Sequence, residues 1–228
     1  TVITEYDGKA YFRAQGSTGM ELYAADASGF ITSFDIKPGT ASSNPDHLIV
    51  SNNKLYFAAD GPPSGSAREL WSIAGTIASL VKDLNPDPFI GSLQFGEFAN
   101  SFDFNGLLFF AATNNTNGTE LFVSDGTTAG TNLFADLVPG SAGSNPRNFI
   151  EFNNHMFFSA GAPGGTYRLW ISDGTAGGTQ LFGNINIGSN PSFTLVGSKM
   201  YFFNQVTPTV KEVWVTDGTV GGPQLFLN

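Results

Sequence analysis

The chain has 228 residues, no cysteine, and a formal net charge of −9 from 19 acidic and ten basic side chains. Without cysteine there are no disulfides, thiolate nucleophiles or Cys-ligated zinc, and the acidic balance argues against nucleic acid and anionic membrane surfaces as partners. Twenty-two Phe within a 41 % apolar composition supply a core and exclude disorder. No apolar run approaches the ~20 residues of a membrane-spanning helix. The sequence opens at Thr1 already inside a repeat and reads as a mature or excised fragment of a secreted or cell-surface protein.

Five copies of one unit follow, at approximately 1–45, 46–98, 99–146, 147–191 and 192–228. Each carries a strand-like opening with two adjacent aromatics: Tyr11-Phe12, Tyr56-Phe57, Phe109-Phe110, Phe157-Phe158 and Tyr201-Phe202. A second anchor comes later in each copy: Glu21-Leu22-Tyr23, Glu69-Leu70-Trp71, Glu120-Leu121-Phe122, Arg168-Leu169-Trp170 and Glu212-Val213-Trp214. Periods of this length belong to radial or stacked repeats, in which a unit cannot bury its apolar face alone.

Within the second copy, four short strands are predicted at 47–51, 54–59, 68–73 and 78–84. Asn52-Asn53 joins the first two as a tight hairpin turn, with equivalents at Asp7-Gly8, Asn105-Gly106, Asn153-Asn154 and Gly197-Ser198. Ala74-Gly75-Thr76 turns the third strand into the fourth. Adjacent aromatics on a strand point to opposite faces, so the sheet must be covered on both sides. Blades packed around a ring satisfy that demand, and five whole units predict an all-β, five-bladed β-propeller of four-stranded antiparallel blades. No strand is then shared between the first and last units, and closure rests on packing; the rival reading is an open fragment of a longer array, which would leave two exposed apolar faces.

Residues 120–131, Glu-Leu-Phe-Val-Ser-Asp-Gly-Thr-Thr-Ala-Gly-Thr, and the matching run from Arg168 to Thr179 resemble the bacterial repeat written ELWxxDGTxxGT. The segment 136–146 resembles the connector between such repeats and is echoed at 35–45. The first two copies depart from the pattern, with Asp26-Ala27-Ser28-Gly29 and Ala74-Gly75-Thr76 in place of Asp-Gly-Thr. The resemblance implies a propeller-like fold in a large secreted or surface-anchored protein. It implies no reaction and carries over no catalytic residue.

Several recurrent positions invite function. Asp125, Asp173, Asp217 and the looser Asp26 offer one carboxylate per turn, which suits an Asp-fixed turn better than a calcium loop. Glu21, Glu69, Glu120 and Glu212 recur at one place, the mark of a shared structural hydrogen bond, and Arg168 breaks the series. Tyr23, Trp71, Phe122, Trp170 and Trp214 read as blade packing first and sugar-stacking platforms second. In the first strand the aligned residues are Glu5, Val50, Asp103, Glu151 and Leu195, facing a central channel. Glu5, Asp103 and Glu151 would hold a Ca²⁺ ion or stand as solvated acids. Ser43-Asn44-Pro45, Ser144-Asn145-Pro146 and Ser189-Asn190-Pro191 present donors and acceptors suited to sugar hydroxyls, and also make turns. The long aromatic stretch 89–98, including Phe95, reads as an exposed lid or partner contact, or as a cap on the channel.

His47 and His155 lie on different strands, and no Ser-His-Asp or histidine-rich metal spacing exists. The reading is a secreted, non-catalytic binding module for carbohydrate, with Asn44, Asn145, Asn190, Ser43, Ser144, Ser189 and Phe95 as candidate ligand residues. Two alternatives stand beside it: a structural or adhesive surface protein that binds other proteins, and a hydrolase or lyase built on the channel carboxylates.

Overall fold

The structure is a computed structural model that describes residues 3–62, 68–85, 93, 98–162, 164–188, 191–207, 209–219 and 221–227. Five four-stranded antiparallel sheets follow one another, each a simple meander with strands A to D in chain order. Blade one is β1 (Thr4–Tyr6), β2 (Lys9–Gly16), β3 (Gly19–Asp26) and β4 (Ile31–Phe34). Blade two is β5 (Asp46–Ser51), β6 (Lys54–Asp60), β7 (Arg68–Ala74) and β8 (Ile77–Lys82). Blade three is β9 (Phe102–Phe104), β10 (Leu107–Asn114), β11 (Gly118–Ser124) and β12 (Asn132–Ala135), preceded by a 3-10 turn at Phe98–Asn100. Blade four is β13 (Arg147–Phe152), β14 (His155–Gly161), β15 (Tyr167–Ser172) and β16 (Gln180–Asn186). Blade five is β17 (Thr194–Val196), β18 (Lys199–Gln205), β19 (Lys211–Thr216) and β20 (Gln224–Leu227).

The predicted strands of blade two are found within one or two residues at each end. The A–B turns take the left-handed geometry expected of them: Asp7 and Gly8 at φ 49° and 71°, Asn52 and Asn53 at 46° and 54°, Asn105 and Gly106 at 53° and 73°. The C–D turn of blade two is shorter than predicted, because Ala74 still pairs with Ile77 and only Gly75-Thr76 remains outside the ladder. The D strand stops at Lys82 rather than Leu84, since the Leu84 amide leaves the sheet to donate to the Glu69 carboxylate at 3.3 Å.

By contacts the chain divides into two compact units, residues 1–115 with 122–132, and residues 116–121 with 133–228. Each unit is built on the same packing rule. In the first, Tyr11, Leu22 and Phe34 of blade one meet Leu55, Phe57 and Trp71 of blade two. Tyr56, Leu70 and Val81, on the other face of blade two, meet Leu108, Phe110 and Phe122 of blade three. In the second unit, Phe157, Leu169 and Phe182 of blade four meet Met200 and Phe202 of blade five. The first aromatic of strand B thus faces the following blade and the second faces the preceding one.

In blades one, two and three the recurrent glutamate of strand C ties the blade to its exit segment. Glu21, fully buried, accepts from the Ile36 amide at 3.1 Å, the Ser43 amide at 2.9 Å and the Ser43 hydroxyl at 2.5 Å. Glu120 accepts from Leu137 at 3.0 Å, Val138 at 3.2 Å and the Ser144 hydroxyl at 2.5 Å. The connector is held from the other side too: the Ser43 and Asn44 amides donate to the Met20 carbonyl, and the Ser43 carbonyl accepts from the Asp60 amide. A buried carboxylate thereby satisfies backbone donors that leave the ladder at the end of strand D. Glu212 differs, accepting from the Asn204 amide nitrogen at 2.9 Å and the Trp214 indole at 2.8 Å within its own blade. Arg168 interrupts the series, and its guanidinium donates locally, to the Thr166 hydroxyl at 3.1 Å.

Burial pushes the Glu120 carboxyl above its ordinary range, against the pull of the Ser144 hydroxyl and the Leu137 and Val138 amides. A carboxyl raised on folding holds its proton more tightly in the native chain, so its contribution weakens as pH rises from the ordinary Glu value through the raised one. Replacing Glu120 by Ala strands three donors in the interior, and the expected loss is about 2–5 kcal/mol in a denaturant melt. Phe57→Ala opens a cavity between two blades and costs about 3–5 kcal/mol in the same assay; Phe12→Ala, at a half-buried position, costs less.

Candidate functional site

The Asp-Gly-Thr turns build one rim of blades three, four and five from local chemistry. In blade three Asp125 Oδ1 accepts from the Thr127 amide at 2.8 Å and its hydroxyl at 2.7 Å. Asp173 does the same with Thr175, and Asp217 with Thr219. The rest of the motif is explained as well: the Thr131 hydroxyl donates to the Thr127 carbonyl at 2.6 Å and pairs with Ser124 at 2.7 Å, and Thr179 repeats both bonds. The second glycine is a matter of space, because a Cβ on Gly130 or Gly178 would lie 2.1 Å from the Asp125 or Asp173 carboxyl. The looser Asp26 serves Ser28 and Phe30 in the same way. These carboxylates fix turns, as the sequence reading favoured.

Hydrogen bonds from the following hydroxyl and amide hold Asp26, Asp125, Asp173 and Asp217 below the usual carboxylate range. Groups lowered on folding lend stability above the ordinary Asp value and lose it as pH falls through the lowered one. Asp125→Asn keeps an acceptor for Thr127 but cannot titrate. The expected outcome is a flatter fall in melting temperature between about pH 4 and pH 2 than wild type shows.

Between the A–B and C–D turns of blade four and the Asp-Gly-Thr turn of blade five lies a groove of about 880 Å³. Its walls carry Asn153 and His155, then Asp173 and Gln180, then Asp217 and Thr219, over a floor of Ile171, Leu181 and Phe182. Asn153 Nδ2 donates to the Asp217 carbonyl at 2.6 Å and clamps the two blades at one end. His155 Nδ1 lies 2.8 Å from the Asn153 carbonyl. A carbonyl only accepts, so Nδ1 carries the hydrogen and Nε2 is left as an acceptor when the ring is neutral. Each Asp uses Oδ1 in its own turn, leaving Oδ2 as an acceptor beside the exposed Gln180 amide.

The corresponding place between blades two and three is bridged. Lys54 Nζ donates to the Asp125 carbonyl at 3.0 Å, and Lys82 Nζ donates to the Thr131 carbonyl at 2.6 Å and Asn132 Oδ1 at 3.0 Å. Strand register aligns Lys54 with His155 and Lys82 with Gly183. Exchanging two long cations for an imidazole and a glycine is what leaves the blade four groove open.

The residues picked from the sequence lie elsewhere. Ser43 and Ser144 are buried, and their hydroxyls are spent on Glu21 and Glu120. Asn44 and Asn145 stand at φ 47° and 51°, shaping the connector, and Asn44 Nδ2 donates to Asp60 at 3.2 Å. Ser189, Asn190 and Phe95 lie outside the described residues. Within the stretch 89–98, Leu93 and Phe98 are buried rather than exposed, Phe98 against Phe110 at 5.9 Å. Glu5, Asp103 and Glu151 are each exposed on strand A. Glu5 accepts from the Gly8 amide at 3.0 Å and Asp103 from the Ser51 hydroxyl. Among the described residues no three His, Asp or Glu side chains form a group able to hold a metal ion. Trp71 and Trp170 are buried packing residues rather than platforms. Sequence reasoning missed the blade four groove, although Asp173 and Asp217, one motif position in successive repeats, marked its rim.

No protein-family model matches the chain, and no curated protein matches it. Solved structures do. Over all of this chain and 36 % of the other, it is similar to a prolyl endopeptidase at 9 % identity and TM-score 0.56. Over 98 % of this chain and 36 % of the other, it is similar to puromycin hydrolase at 14 % identity and TM-score 0.54. TolB from Acinetobacter baumannii is similar at 11 % identity and TM-score 0.48, over 97 % of this chain and 52 % of that one. The chain thus spans about half or less of these proteins' own length. At such identities the likeness speaks for fold alone: the chain is an all-β protein of the β-propeller class, with five four-stranded antiparallel blades.

Proposed function

We propose that the chain is a non-catalytic binding module of a secreted or cell-surface protein, and that its ligand is carbohydrate held in the blade four groove. The observation that carries this reading is the groove's lining, with acceptors on Asp173, Asp217 and His155 and an amide on Gln180 set above apolar Leu181. A pyranose presents hydroxyls at its edge and a C–H face, and matches polar walls over an apolar floor. The phenyl ring of the lining, Phe182, is buried, so hydroxyl pairing over aliphatic surface replaces stacking on a phenyl face. The resemblance to ELWxxDGT repeats supports an extracellular setting and an array that gains avidity from several weak sites.

The test is a glycan array, run with calcium and again with chelator, on wild type and on Gln180→Ala and Asp173→Asn. The expected result is chelator-insensitive binding that falls roughly 10–100-fold in either variant, the loss of one charge-assisted or amide hydrogen bond. Unchanged binding in both variants moves the site off this groove. A blank array in both buffers overturns the carbohydrate reading for the glycans displayed.

A further inference from the structure

Two rims of this protein are built from the same parts, an A–B turn on one blade facing an Asp-Gly-Thr turn on the next. At the bridged rim, between blades two and three, the chain seats an ammonium group of its own. Lys54 Nζ donates to the Asp125 carbonyl at 3.0 Å. The Thr127 hydroxyl and amide, and then the Lys54 charge, hold the Asp125 carboxyl below the usual range. The ammonium lies close against the turn: a Cβ on Gly126 would stand 2.5 Å from Nζ and 2.4 Å from the Tyr56 hydroxyl.

The groove between blades four and five keeps the acceptors and lacks the cation. Gly218 is the counterpart of Gly126, and the atoms nearest a Cβ there are carbons of Phe152 and Asn153, at 3.5–3.7 Å. Strand register puts His155 at the Lys54 position and Phe157 at that of Tyr56. The His155 ring is turned onto the Asn153 carbonyl at 2.8 Å. Asn153 Nδ2 takes one lone pair of the Asp217 carbonyl and leaves the second. Gly183, at the Lys82 position, lies against the Pro223 ring, 3.1 Å from where a Cβ would stand, so the open ammonium place is the Lys54 one.

Charge points the same way. Asp173 and Asp217 line the groove, and no Lys or Arg does. Bonds from Thr175 and Thr219 hold both carboxyls below the usual range, so both are ionised at neutral pH. Lys199 lines a separate pocket of about 130 Å³ that shares Asp217 and Thr219, and among the described residues no ion pair joins it to Asp217. With His155 neutral, the lining carries two negative charges and no positive one.

We infer that the groove selects sugars bearing a free ammonium group, that is, hexosamines in their deacetylated form. The ammonium sits at the counterpart of the Lys54 site, beside Asp217 and in the field of Asp173. The inference rests on the carbohydrate reading of this groove and adds the class of sugar. The C–H face of the ring lies over Leu181, and its hydroxyls reach Gln180 and His155. N-acetylation removes the charge and with it the charge-assisted hydrogen bond.

The test is calorimetric titration at about pH 7, where an amine of this kind is mainly protonated. Four probes are compared: a β-1,4-linked glucosamine tetramer, its fully N-acetylated form, cellotetraose, and Nα-acetyl-lysine amide, which is an ammonium without a sugar. Wild type is expected to bind the glucosamine tetramer roughly 10-fold or more tighter than each of the others. Asp217→Asn is expected to bring the three tetramers within about threefold of one another. His155→Lys, which copies the bridging residue into the groove, is expected to abolish binding of the glucosamine tetramer. Asp125→Asn, the same turn position at the bridged rim, is expected to bind as wild type does, and circular dichroism melts check that each variant is folded. Neutral tetramers that bind wild type as tightly as the glucosamine tetramer overturn this inference and leave the carbohydrate reading standing. Lysine amide that binds as tightly as the glucosamine tetramer overturns it too, by making the sugar ring irrelevant. So does a preference that survives in folded Asp217→Asn or His155→Lys, or one lost in Asp125→Asn. Silence from all four probes overturns it together with the carbohydrate reading for these sugars.

Discussion

A sheet that is apolar on both faces cannot stand alone, and this constraint organises the whole protein. Tyr56 and Phe57 are neighbours on one strand, point to opposite sides, and are both fully buried. One reaches the core shared with blade three and the other the core shared with blade one. Phe157 and Phe158 in blade four are buried in the same two-sided way. Each blade therefore depends on its neighbours for most of its hydrophobic stabilisation, as repeat architectures do.

Stacking such sheets creates a second problem, the polar backbone that must cross from one blade to the next. Glu21 and Glu120 solve it with a buried carboxylate that collects amides from the end of strand D and the Ser hydroxyl of the connector. Burying the carboxylate is tolerable because its lone pairs are met by donors. The Ser43-Asn44-Pro45 and Ser144-Asn145-Pro146 runs, attractive as a polar ligand surface when read along the chain, are the other half of this device. Their recurrence reflects a structural need shared by blades one and three.

A ligand site in a repeat protein arises where repeats differ. The Asp-Gly-Thr turns are alike in blades three, four and five, and they set up comparable rims. Lys54 and Lys82 bridge the rim between blades two and three, whereas His155 and Gly183 leave the one above blade four open. The scaffold is repeated and the opening is local, so the groove depends on two substitutions rather than on a dedicated motif.

The amino-acid sequence by itself determined the repeat, the four strands of each blade, the left-handed A–B turns and the Asp-fixed C–D turns. All of these rest on interactions a few residues long, or on the alternation of side chains along a strand, and such information is local. Tertiary structure alone decided which polar residues are spent and which are free. Ser43 meets Glu21 from 22 residues away and Lys54 reaches Asp125 from 71, and Asn153 closes on Asp217 across 64. A hydroxyl or a carboxylate looks equally available in a linear chain. Whether it faces solvent depends on which distant backbone folds against it, and packing between successive blades settles that.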